Sequence, residues 1–386
     1  MDLSHMHTSY EVAIVGAGSM GMAAGYYLAK RGVKTLLIDS FDPPHSLGSH
    51  HGETRIIRHA YGEGKQYVPL VLRAQELWKE LEQEAGVHLF ENTGVLCVGS
   101  PESTFLPEVI ASAQAYSLPL DVLEADEVMR RWPGISLPEG YRASFEPTSG
   151  VLYSEQCIRA YRKLAVEAGA TLVVNSPVES IDLGEQGAVI QAGGNRYAAD
   201  KLIVSGGGWL GKLAGACGLS LPVKPTRKTV GWFQADEQLY HPGHFPAFTV
   251  NLAGGESYYG FPNFGGQGVK IGRHDLGQPS DPDQLNREFG INEEDEGDVR
   301  RFAERFLPQA AGPLLQGKVC IYTFTPDEHF ILDRHPEHAH VLLVGGTSGH
   351  GFKFASAIGE VLADLSTTGV SKHDLSLFRI GRFAES

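Results

Sequence analysis

Arg55 and Arg58, in the run Thr54-Arg55-Ile56-Ile57-Arg58, stand three residues apart and share one face if the segment is helical. With Lys353, which follows Gly351-Phe352 near an expected helix start, they could grip a small carboxylate, because a guanidinium fork makes paired charged hydrogen bonds. The same arginines also read as ordinary surface ion-pairing residues. In Val269-Lys270-Ile271-Gly272-Arg273-His274, the two-residue period of a strand puts Lys270 and His274 on one face. In Val319-Cys320-Ile321-Tyr322 it puts Cys320 beside Tyr322 and opposite Val319 and Ile321. By residue type alone, a cysteine between valine and isoleucine is more often an inert core residue, and a strand histidine more often structural than catalytic. His50, His51 and His59 cluster without a metal-ligand spacing.

Such groups need a scaffold, and its clearest signal lies at residues 12–21, Val-Ala-Ile-Val-Gly-Ala-Gly-Ser-Met-Gly. A short buried strand runs there into Gly16, Gly18 and Gly21 at G-x-G-x-x-G spacing. The first glycine permits the tight turn, the second lets backbone approach a pyrophosphate, and the third lets the next helix close on the sheet. That helix is expected over 20–30, stopping at Gly32, with a second buried strand over 35–38. Asp39 closes the strand about twenty residues on, where an acid accepts both hydroxyls of an adenosine ribose and disfavours a 2′-phosphate. The order predicts a dinucleotide site, and the glycines alone do not separate FAD from NAD.

The 386 residues suffice for two domains, and 47 glycines without a collagen-like period imply many tight turns. A formal net charge of -14 argues against nucleic acid or an anionic membrane as the main partner. No run reaches signal-peptide or transmembrane character, which makes the cytoplasm the expected location. The four cysteines, Cys97, Cys157, Cys217 and Cys320, are widely separated and form no C-x-x-C pair.

After Asp39, Phe41-Asp42-Pro43-Pro44 breaks regular structure, and the polar segment to His59 is a candidate ligand loop. Helices are expected over 70–84, 105–116, 125–131 and 155–168, with strands over 90–99 and 171–174. A strand-rich stretch over 189–204 runs into Gly206-Gly207-Gly208, a second close approach to the dinucleotide. Beyond Pro222, strands are expected over 230–234, 248–252, 257–261, 269–272 and 318–324, with helices over 282–289 and 298–307. The first pattern returns with a strand over 341–344, a glycine turn over 345–351 and a helix over 353–365.

Three stretches carry a family resemblance: Gly48-Ser49-His50-His51-Gly52-Glu53-Thr54-Arg55 with Ile56-Ile57-Arg58-His59-Ala60-Tyr61, then Tyr258-Tyr259-Gly260-Phe261-Pro262, then Ser348-Gly349-His350-Gly351-Phe352-Lys353-Phe354. Nearly the whole chain resembles the monomeric sarcosine oxidase and N-methyltryptophan oxidase group of flavoenzymes. The resemblance implies an α/β fold in which a Rossmann-like FAD-binding domain (1–90, 145–222 and 325–386) is interleaved with a mixed-sheet α+β substrate domain (91–144 and 223–324). It implies one FAD per chain, joined as a thioether from Cys320 to the flavin 8α carbon. Lys270, His274, Arg55, Tyr322 and Tyr259 are the implied catalytic residues, and Arg58, Lys353, His350 and Thr249 the substrate-binding ones. Gly16, Gly18, Gly21, Asp39, His51, Cys320, Gly349 and Lys353 are implied at the cofactor, and no metal is required.

The implied partners are a small N-methyl amino acid and molecular oxygen, and the implied state is a monomer. Sarcosine is the expected substrate, giving glycine, formaldehyde and hydrogen peroxide, because the second domain resembles that branch. Thr249 and the run Gly231-Trp232-Phe233-Gln234 resemble instead the branch that oxidises N-methyltryptophan. A flavin-binding sensor without oxidase activity would keep the glycine turn, but would need neither the carboxylate-binding cations nor a lysine beside the flavin.

Overall fold

The computed structural model describes residues 8–383. Its first sheet is centred on Thr8–Val15, which lies parallel between Thr35–Ile38 and Asn195–Val204. Thr171–Val173 extends one side and Val341–Gly345 the other, both parallel. Leu36, Leu37 and Ile38 are fully buried, as the interior of a parallel sheet covered on both faces requires. The hairpin Val178–Gly184 and Gly187–Ala192 adds antiparallel strands at the edge.

Helix Ser19–Lys30 packs on this sheet and is crossed by Ala355–Thr367. The crossing is close because Gly359 lacks a side chain: a Cβ there would stand 2.5 Å from the Cβ of Ala23. A methyl at that point would overpack the junction at about 1–3 kcal/mol. Helices Val68–Ala85 and Ser154–Glu167 complete the layer, with Trp78 and Tyr161 buried between them.

The second sheet is mixed and has nine strands. Lys224–Phe233 pairs antiparallel with Leu314–Phe324 on one side and with Val269–Arg273 on the other. Ser257–Phe261 and Ala247–Asn251 follow, then Val95–Gly99 in parallel, then Arg142–Glu146 and Asp121–Glu124. Helix Glu294–Phe306 covers it through Phe302, which stacks on Tyr258 with ring centres 4.4 Å apart. A third, small sheet joins Thr54–Ile57, Gly150–Tyr153 and Phe90–Glu91.

Three expectations fail locally. Residues 54–57 are a strand, so Arg55 and Arg58 do not share a helical face. The stretch 282–289 is not helical, because the buried Arg227 guanidinium takes the carbonyls of Asn286 and Glu288 while Leu285 and Phe289 pack on Val319 and Ile321. The single strand expected over 90–99 is broken by Gly94 at φ 68° into Phe90–Glu91 and Val95–Gly99.

Candidate active site

Two cavities, of about 600 and about 710 Å³, share Arg55, Tyr322, Gly349 and Phe352 in their walls. The smaller begins at the glycine turn. Gly16 has φ 94°, and a Cβ on it would stand 2.2 Å from the Ser205 carbonyl oxygen, while one on Gly21 would stand 1.9 Å from the Gly16 oxygen. These two glycines close strand, turn and helix on one another. Gly18 faces the cavity instead, with its nearest neighbour His50 Nδ1 at 3.8 Å from a Cβ position. The Asp39 carboxylate accepts the Ala17 and Phe41 backbone N–H groups at 2.8 and 2.9 Å, which fixes it in the same wall. Gly206, Gly207 and Gly208 enter from the end of Asn195–Val204, where the glycine run predicts a close approach.

The larger cavity gathers the chemistry-bearing side chains. Arg58 lies buried at its wall with Nη2 donating to both carboxylate oxygens of Glu63, at 2.6 and 2.8 Å. Burial opposes the charge on Glu63, yet Arg58 holds that carboxyl well below the usual carboxylate range. Lys353, in the short turn Phe352–Phe354, donates to the His350 carbonyl at 2.8 Å and to the Tyr61 hydroxyl at 3.4 Å. Burial pushes its ammonium down to about 7, Arg58 adding to the effect. His350 has both ring nitrogens engaged, Nδ1 with the Tyr61 hydroxyl at 2.7 Å and Nε2 with the Glu328 carbonyl at 3.1 Å. Burial also pushes it down to about 3 and His274 down to about 4, so both imidazoles are neutral at pH 7.

Lys270 and His274 line this cavity together, as their strand parity predicts. The Lys270 ammonium donates to the Gly52 and Thr54 carbonyls at 2.7 and 3.0 Å and stands 4.5 Å from the Phe261 ring centre. Burial, then Arg55, push it well below the usual lysine range. Arg55 shares the Thr54 carbonyl with Lys270, donating to it from Nη1 at 2.7 Å, while its Nη2 donates to the Ser49 and His51 carbonyls at 2.7 and 2.6 Å. Cys320 is buried in the cavity wall beside Tyr322, whose hydroxyl reaches that of Tyr259 at 3.3 Å. Burial raises the Cys320 thiol, while Arg55, Lys228 and Lys270 oppose the shift. Gly349, at φ 82°, lies against the Tyr322 ring so closely that a Cβ would stand 2.1 Å from Cε2. Thr249 lines the cavity between Cys97 and Tyr259 of the neighbouring strands.

Sequence reasoning missed Glu63 and Tyr61. Their signal is the turn Tyr61-Gly62-Glu63, which brings an acid back onto Arg58 five positions later. Among the described residues, no group of three or more His, Cys, Asp or Glu is placed to hold a metal ion. No helix among them is long and apolar enough to cross a membrane.

Residues 11–365 match the FAD dependent oxidoreductase family. The chain is 55% identical over 379 residues to the monomeric sarcosine oxidase of Bacillus sp. (strain B-0618), covering 98% of this chain and 97% of that protein. It belongs to the FAD-dependent oxidoreductases, in the monomeric sarcosine oxidase and N-methyl-L-tryptophan oxidase group. The N-methyl-L-tryptophan oxidase of Yersinia pestis (strain Pestoides F) is 44% identical over 374 residues, covering 97% of this chain and 99% of that protein. The fold is shared with NikD, described as an unusual amino acid oxidase essential for nikkomycin biosynthesis, at TM-score 0.85, 22% identity, and 97% and 98% of the two chains.

As a member of this family the protein is an FAD-dependent oxidoreductase, and its residues fit the cofactor. The glycine turn and Asp39 suit the adenosine and pyrophosphate. His51 lines the adjoining cavity, and its two buried ring nitrogens lack a hydrogen-bond partner within the protein, so they could serve the polar edge of a bound flavin.

Proposed function

We propose that the protein oxidises a small N-methyl amino acid, sarcosine first among them, with molecular oxygen and water, giving glycine, formaldehyde and hydrogen peroxide. The observation that carries this reading is the meeting of two buried cations, Arg58 and Lys353, with Cys320, Tyr259 and Tyr322 in one cavity. The identity to monomeric sarcosine oxidases supports the choice of substrate. In this reading the protein works as a cytoplasmic monomer.

FAD, when bound, would supply the two-electron acceptor that oxygen reoxidises. Arg58 and Lys353 receive the substrate carboxylate, which fixes the methyl carbon relative to the cavity wall. His274, His350, Tyr259 and Tyr322 surround the amine. Neutral imidazoles there do not repel an arriving ammonium, and they leave the amine free to lose its proton. Lys270 and Arg55 would place positive charge beside the bound flavin, to offset the negative charge of its reduced form. Gly16, Gly18, Gly21, Asp39, His51 and Gly349 would hold the cofactor, and Cys320 would carry it as an 8α-thioether.

A second reading, N-methyl-L-tryptophan as substrate, is favoured by the run Gly231-Trp232-Phe233-Gln234 and by the short Thr249 side chain in the wall of a cavity of about 710 Å³. Specificity constants measured side by side decide between them. The proposal expects kcat/KM to be higher for sarcosine, and a clear preference for the indole substrate overturns that choice.

A further inference from the structure

Lys228 lies in the strand Lys224–Phe233, directly opposite Cys320 across the antiparallel pair. Only 5% of it is exposed, although an ammonium there must give up its water. Three consecutive carbonyls replace that water: His274 O at 3.1 Å, Asp275 O at 2.6 Å and Leu276 O at 2.8 Å. An ammonium has three N–H donors, so the turn leaving His274 satisfies the whole group. The same ammonium stands 5.3 Å from the centre of the Tyr322 ring.

The turn is shaped around this side chain. Leu276 adopts the left-handed region at φ 56°, an unfavourable setting for leucine. Gly277 follows at φ 121°, and a Cβ on it would stand 2.6 Å from Thr226 Cγ2 and 3.0 Å from Lys228 Cδ. On its other side the turn is held by Asp275, which accepts the Ser257 N–H at 2.7 Å and the Arg273 Nε–H at 3.0 Å. Ser257 O in turn accepts the His274 N–H at 2.7 Å. The His274 ring emerges from this doubly held turn 5.7 Å from the Tyr322 ring centre.

We propose that Lys228 is a positioning residue for amine oxidation: by binding three successive carbonyls it sets where the His274 imidazole stands against Tyr322 and the substrate amine. One side chain thereby ties together the strand of Cys320, the ring of Tyr322 and the backbone of His274. The inference rests on the proposed reading of the cavity as an N-methyl amino acid site. Lys228 itself does not line the cavity, so its effect passes through His274.

The test uses the FAD-loaded enzyme and follows anaerobic flavin reduction by sarcosine alongside acetate binding. K228M removes the three donors, and reduction is expected to slow by about tenfold to a hundredfold, as for other misplaced groups near a reacting centre. Acetate, which lacks the amine, is expected to bind within about twofold of wild type, because Arg58 and Lys353 are untouched. K228R keeps charge and donors and is expected to recover most of the rate. A K228M/H274A double variant is expected to be no slower than H274A alone, since a positioning effect vanishes with the group positioned. Additive losses in the double variant, or a K228M protein reduced at the wild-type rate, overturn the proposal. A wild-type protein that sarcosine does not reduce overturns the parent reading instead.

Discussion

One guanidinium nitrogen of Arg58, Nη2, donates to both carboxylate oxygens of Glu63 beneath the Tyr61 ring, whose centre lies 4.4 Å from the guanidinium carbon. The cation proposed to receive the substrate carboxylate therefore already holds a carboxylate of the chain. Substrate must share Arg58 with Glu63 or displace it, so Glu63 competes with the ligand and keeps the buried charge paired between turnovers.

Replacing the competitor separates these two effects. E63Q is expected to bind acetate about tenfold more tightly, the worth of roughly one charged hydrogen bond, and to be less stable by about 1–3 kcal/mol when free of ligand. Titration calorimetry and melting curves with and without acetate check both. Unchanged acetate affinity in folded E63Q contradicts the competition.

Lys353 gives carboxylate binding a pH dependence of defined sign. Burial, then Arg58, lower its ammonium to about 7, with Glu63 opposing. Above that pH the free site holds largely neutral lysine, whereas a bound carboxylate favours the charged form. Acetate binding at pH 8 is thus expected to take up a proton, and affinity to fall as pH rises. Heats measured in buffers of different ionisation enthalpy report the uptake, which K353M should lack. An absence of uptake in wild type contradicts the assignment.

For Lys270, the lowered ammonium means that raising pH removes positive charge from the position proposed to face the flavin. Reaction of the reduced enzyme with oxygen should slow with rising pH in wild type. In K270M it should be slower by about a hundredfold and insensitive to pH over the same range. Reduction under argon followed by separate mixing with oxygen isolates this step. A near-normal oxygen rate in K270M speaks against the role.

Cys320 is expected to retain flavin through denaturation. Acid-precipitated wild type should stay yellow, and C320S should release its colour while still binding FAD, because the glycine turn lies in the other cavity. Complete release of flavin from wild type into the supernatant removes the proposed thioether.

The parts of this molecule that were legible in sequence are those whose constraint is local. Gly16 and Gly21 answer backbone demands that no other residue meets, and Ser257–Phe261 is a strand with the expected bounds. Lys270 and His274 reach one cavity because a strand's period of two survives into the fold. The three-residue spacing of Arg55 and Arg58 misled, since Thr54–Ile57 pairs with Gly150–Tyr153 and takes extended geometry from that distant partner. The helix expected over 282–289 is likewise overridden by Arg227, more than fifty positions away. Lys228 and the turn it holds are separated by a similar distance, so no local pattern announces their contact.

One vessel can display the whole proposed catalytic cycle. Anaerobic addition of sarcosine to the purified yellow protein is expected to bleach the flavin absorbance. Admission of oxygen is then expected to restore it, with formaldehyde and hydrogen peroxide released in equal amounts. Flavin that stays oxidised under sarcosine and under every other N-methyl amino acid offered would contradict the proposed oxidase outright.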